Sequence, residues 1–247
     1  MKNIRSYDPI WMGILTGLAT LSLWYFSSLA IDKTISPSAD KVWPFFSAGI
    51  GAFFGSYFAY RFRKYEEKNS KLNKQKNAFD TCLFTLTRQY NAMFQMKKVL
   101  DQYQSNIERA FSMRAMKFPS YKDARIDFES LNFLTDASKT RHLLFLTIEQ
   151  ERFEQTILSM ELKSSFDVEK VQPAFEEHKI SGCQLDPEKL KETIGSLIYH
   201  SAINFTEVTY DLLCKNLDSN HEMRKKTWEI AKEHFPTKTF LSPEKIH

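Results

Sequence analysis

The chain has 247 residues and a net charge of +4, with 43% hydrophobic and 26% charged residues. That balance is too apolar for a disordered chain and too weakly charged for a dedicated nucleic-acid coat. Only seven glycines occur, and Gly13, Gly17, Gly49, Gly51 and Gly55 all fall in the first 55 residues. With Gly182 and Gly195 alone thereafter, a glycine-rich phosphate loop is excluded and a helical chain is predicted.

Residues 1–9 form a short polar stub. Ile10 to Ile31 then runs for 22 residues without an ionisable side chain, about the length that crosses a bilayer as a helix. A second charge-free stretch runs from Trp43 to Tyr60, so 10–62 reads as a transmembrane hairpin with spans of about 10–31 and 43–62. Lys33 and Lys41 lie in the connecting loop, whereas seven cations follow between Arg61 and Lys76. That asymmetry predicts both termini in the cytoplasm.

Small residues recur at helical spacing in both stretches. Gly13 and Gly17 form one pair, and Ser47, Gly51, Gly55 and Ala59 recur every fourth residue. Such stripes let helix backbones approach closely. They serve either the hairpin within one chain or contacts between subunits, which would make a homo-oligomer or a multi-subunit complex. The absence of charge within the spans argues against a selective transporter.

The segment 63–235 is predicted to be a cytoplasmic helical stalk and antiparallel bundle, with a loose tail at 236–247. Leu72, Phe79, Leu86, Met93, Leu100 and Ile107 lie seven residues apart, which predicts one helix running as far as Phe111. A short amphipathic helix is predicted over Asp123–Leu134, and a long one over Lys139–Phe166. Asp186 followed by Pro187 marks a helix start, with that helix ending near Asp218 and a last one at 219–234.

Chemistry-bearing residues are sparse. Cys82, Cys183 and Cys214 are far apart and read as reduced, buried thiols. His200 and Ser201 are adjacent on a helix and point in different directions, so they cannot act as base and nucleophile. Glu149, Glu151 and Glu154 read as a wet helix face rather than a carboxylate cluster. No nucleotide, zinc-protease or hydrolase motif occurs, so no enzyme, metal or cofactor is expected. The basic residues Arg61, Arg63, Lys64, Lys68 and Lys71 admit three readings: topology alone, contact with membrane lipid, or contact with nucleic acid.

Several stretches carry a resemblance across roughly residues 43–175: GAFFGSYFAYRF, FTLTRQYNAM, DFESLNFL, EQERFEQTI and VEKVQPAF. The layout resembles a family of bacterial two-transmembrane helical proteins that includes membrane effectors of retron anti-phage defence. The resemblance implies an inner-membrane effector of abortive infection, restrained by a reverse transcriptase with its RNA–DNA hybrid and breaching the membrane when released. The alternative is a non-toxic membrane anchor or scaffold that recruits a cytoplasmic partner complex.

Overall fold

The computed structural model describes residues 43–113, 115–117, 119, 121, 123–136, 139–180 and 186–243. It also describes residues 16, 17, 19, 20, 22–24, 27, 28 and 31, all helical. The helices are α1 (Trp43–Leu100), α2 (Asn106–Phe111), α3 (Phe133–Asp136) and α4 (Thr140–Phe166). A π-helical turn at Asp167–Val171 follows, then α5 (Gln172–Glu177), α6 (Pro187–Ile194) and α7 (Ser196–His234). No strand occurs among the described residues. The chain divides into two compact units, Met1–Leu72 and Asn73–His247.

The membrane hairpin is overturned. No helix among the described residues is long and apolar enough to cross a membrane. The physical reason is visible in α1: between Trp43 and Tyr60, freedom from charge is not the same as hydrophobicity. Pro44, Ser47, Ser56, Gly49, Gly51, Gly55 and the rings of Tyr57 and Tyr60 dilute the phenylalanines until the average falls short. The predicted span 10–31 lies largely outside the described residues. The two-span fold, the orientation and the inner-membrane location therefore do not hold.

Within the first unit, α1 carries Gly51, Gly55 and Ala59 on an exposed face. A Cβ added at Gly17, Gly51 or Gly55 would meet nothing within 4 Å, so these positions are open rather than pressed against another helix. Gly51→Ala with Gly55→Ala is expected to stabilise this stretch of helix by about 0.5–1 kcal/mol per site. Slower amide exchange in the double variant would show it; faster exchange would mean that the glycines are packed.

The second unit is built on α4 and α7, which run antiparallel. Lys139 pairs with Glu233 at 2.7 Å, Asn216 Nδ2 donates to Thr156 Oγ1 at 2.7 Å, and the Phe166 and Phe205 rings lie 5.1 Å apart. As numbers rise on α4 they fall on α7. Residues 73–100 of α1 complete the bundle, and the heptad positions Phe79, Leu86, Met93 and Leu100 are all fully buried. One core cluster gathers Phe79, Leu86, Leu131, Leu134 and Leu146, and a second gathers Tyr90, Met93, Phe153, Met160 and Leu213.

Three features differ from the heptad reading. First, α1 ends at Leu100, and α2 restarts behind Ser105, whose hydroxyl accepts from the Glu108 amide at 3.1 Å. Second, the region around 123–132 is turn and irregular chain, with helix only at α3. Its polar backbone is held instead by side chains: Gln89 donates to Ala124 O at 2.8 Å, and the Ile126 amide donates to Gln150 at 3.1 Å. Third, the C-terminal helices divide at Gly195, whose φ of 86° favours glycine, and then run unbroken from Ser196 to His234. The tail is also not free as far as it is described: Phe240 packs into the first core cluster.

Candidate partner-binding groove

Where α1 approaches its end, it lies against α7 along a groove of about 460 Å³. Its floor is Tyr90 and Phe94, one turn apart on α1 and stacked with centroids 6.1 Å apart, together with Leu217 and Cys214 of α7. The rim is charged with both signs: Lys97, Lys98 and Asp101 on one side and Asp218 on the other. An apolar, partly aromatic floor inside a polar rim is the usual make-up of a binding site.

The upper rim is preorganised. Asp101 binds Lys97 Nζ at 2.6 Å and accepts the Tyr210 hydroxyl at 2.8 Å. Arg109 lies over the Tyr210 ring at 4.0 Å and caps α1 by donating to Leu100 O at 3.1 Å. Burial works against ionised Asp101, but hydrogen bonds from Lys97 and Tyr210 and the charge of Arg109 hold its carboxyl below the usual range. The same hydrogen bond raises Lys97 above its ordinary value, so the pair stays charged at neutral pH.

Beneath the floor, a buried polar layer fixes the three helices in register. Gln150 Oε1 accepts from Gln89 Nε2 at 2.8 Å, while its amide donates to Glu154 at 2.9 Å. Asn220 Nδ2 reaches Gln89 Oε1 at 3.5 Å, and Asn216 Nδ2 donates to Arg152 O at 3.0 Å. Arg224 lies 5.1 Å from the Tyr90 ring that forms part of the groove floor. Polar layers of this kind specify one packing arrangement over its neighbours.

The three glutamates of α4 do not gather. Glu149 is fully buried, where it accepts from Ser219 Oγ at 2.6 Å and lies 3.5 Å from Arg152. Burial pushes its carboxyl up, against the hydrogen bond from Ser219 and the charge of Arg152. Glu151 is exposed, and Glu154 pairs with Arg125 at 3.2 Å. His200 is exposed. Cys82 is buried, and desolvation pushes its thiol up to about 12. Cys214 is half-buried on the groove floor rather than enclosed, and Cys183 lies outside the described residues. No group of three or more potential metal ligands occurs among the described residues.

The basic residues fall on two faces of α1. Arg61, Lys64, Lys68 and Lys71 are exposed and share one side at spacings of three and four. Arg63 is turned away and pairs with Glu67 at 3.1 Å. Of the small-residue stripes, Gly13 lies outside the described residues and Ser47 is helical with its side chain outside them. The groove itself is not visible in the sequence. Only the pairing of α1 with α7 brings Cys214 and Leu217 beside Tyr90.

Comparison of the chain with protein-family models, curated proteins and solved structures finds no match.

Proposed function

We propose that the chain is a non-enzymatic helical effector whose bundle receives a restraining partner in the groove between α1 and α7. The observation that carries this reading is the groove itself, an aromatic floor inside a charged rim whose Lys97–Asp101–Tyr210 side is held in place before any partner arrives. The resemblance described above supplies the partner: a reverse transcriptase carrying its RNA–DNA hybrid, within an anti-phage system.

The test is bacterial growth. Induced expression of the chain alone is expected to arrest growth, and co-expression of the reverse transcriptase with its RNA is expected to restore it. Phe94→Glu places a charge on the apolar floor and is expected to abolish that rescue, since a central aromatic anchor is typically worth about 2 kcal/mol or more. Normal growth with the chain alone would remove the effector reading. A complex that still forms under those conditions would favour the scaffold alternative.

A further inference from the structure

Residues 57–71 of α1 combine aromatic rings and cations on a single helix face. At 100° per residue, Tyr57, Tyr60, Arg61, Lys64, Lys68 and Lys71 fall within about a 100° arc. All six are exposed. Arg61 lies 5.7 Å from the centre of the Tyr57 ring and its Nε donates to the Tyr57 hydroxyl at 3.2 Å. Lys64 Nζ lies 6.0 Å from the Tyr60 ring. The two acidic residues of the segment do not neutralise the face. Glu67 is at its edge and pairs with Arg63, and Glu66 is on the far side of the helix. Among the described residues, Arg61, Lys64, Lys68 and Lys71 have no carboxylate partner.

We infer that this face binds single-stranded nucleic acid. Four unneutralised cations from Arg61 to Lys71 span about 15 Å of helix axis. A stacked strand carries about one phosphate per 3.4 Å, so roughly four phosphates match four cations over that length. The rings of Tyr57 and Tyr60, at the N-terminal end of the row, supply flat surfaces on which unpaired bases stack. Those rings favour a single strand, because the bases of a duplex are already stacked on one another. The cations and rings adjoin on one face, which a merely solvated charge run does not require. This inference rests on α1 alone and stands apart from the groove.

The test is fluorescence anisotropy of a labelled single strand of about 20 nucleotides, titrated with the full chain. Wild type is expected to bind with a slope near −3 in log affinity against log salt, a loss of about 50-fold between roughly 50 and 200 mM salt. Arg61→Gln, Lys64→Gln, Lys68→Gln and Lys71→Gln together are expected to weaken binding by about 50-fold or more and to flatten that slope. A control with Lys170→Gln, Lys189→Gln, Lys215→Gln and Lys225→Gln removes the same charge from exposed sites elsewhere, and is expected to change affinity less than about threefold. Tyr57→Ala with Tyr60→Ala is expected to cost the single strand about tenfold or more and a duplex much less. Equal losses in the two charge-removal sets, a tyrosine pair without effect, no binding at low salt, or displacement of the strand by vesicles of anionic phospholipid would each overturn the inference.

Discussion

Replacing Phe79 by alanine is expected to destabilise the bundle by about 4 kcal/mol, the usual range for a buried phenylalanine truncated in a packed core. Phe79 is fully buried on the inward face of α1. Its ring meets Phe133 at 5.4 Å, Phe240 at 6.2 Å and Phe235 at 6.3 Å, each in an edge-on arrangement. It therefore joins α1 to three separate places in the chain: α3, the end of α7 and the C-terminal segment. The backbone around it is helical and cannot collapse into the space, so most of the cavity remains. Thermal unfolding followed by circular dichroism is expected to show a midpoint about 10 °C lower. Phe240→Ala, at a half-buried position, is expected to cost much less. A loss below about 1 kcal/mol at Phe79 would mean that the cluster is not formed in solution.

Acid is expected to weaken the bundle through His142. This side chain is buried on α4, and Thr227 Oγ1 donates to Met223 O at 2.8 Å, leaving its oxygen to accept from His142 Nε2 at 3.1 Å. The imidazole is thus held neutral. Burial, with the charges of Lys226 and Lys139, pushes its pKa down from 6.5 to about 4. The folded value is the depressed one, so this contribution is complete above the unfolded value and is lost as pH falls from 6.5 towards 4. The loss comes to about 3 kcal/mol. Glu149 acts in the opposite sense, because burial raises its carboxyl and acidification relieves it. The difference between proteins isolates the histidine: His142→Gln keeps a donor for Thr227 but does not titrate. Urea midpoints measured across this range should fall more steeply with acid in wild type than in His142→Gln. Parallel curves would show that His142 titrates as it does in the unfolded chain.

Much of the bundle is legible in the sequence, and the reasons are specific. The seven-residue repeat of Phe79, Leu86, Met93 and Leu100 is a packing requirement written directly into spacing, and all four side chains are buried. Asp186 before Pro187 marks the start of α6, with the Asp186 carboxylate accepting from the Glu188 amide at 3.3 Å. The break after Leu100 also has a sequence signal: Ser105 and Glu108 stand three apart at a helix start, a pattern masked because Ile107 continues the numerical repeat. Pro173 does not break the chain, which remains helical through it because the Asp167–Val171 turn widens first and the Gln172 amide bonds back to Asp167 O.

The polar layer and the groove are not legible because they depend on which helices meet. Gln89, Gln150, Asn216 and Asn220 look like surface residues until α1, α4 and α7 are brought together, where each is buried. The membrane reading fails for a different reason. Absence of charge between Trp43 and Tyr60 is a poor measure of hydrophobicity, because the glycines, serines and tyrosines of that stretch offset its phenylalanines.

Co-elution tests most directly whether a partner sits in the α1–α7 groove. The full chain, co-expressed with the reverse transcriptase and its RNA, should co-elute with them from a sizing column as one complex. Phe94→Glu should separate the two while leaving the helical circular dichroism signal unchanged. Co-elution that survives Phe94→Glu would contradict the account, as would the absence of any complex with wild type.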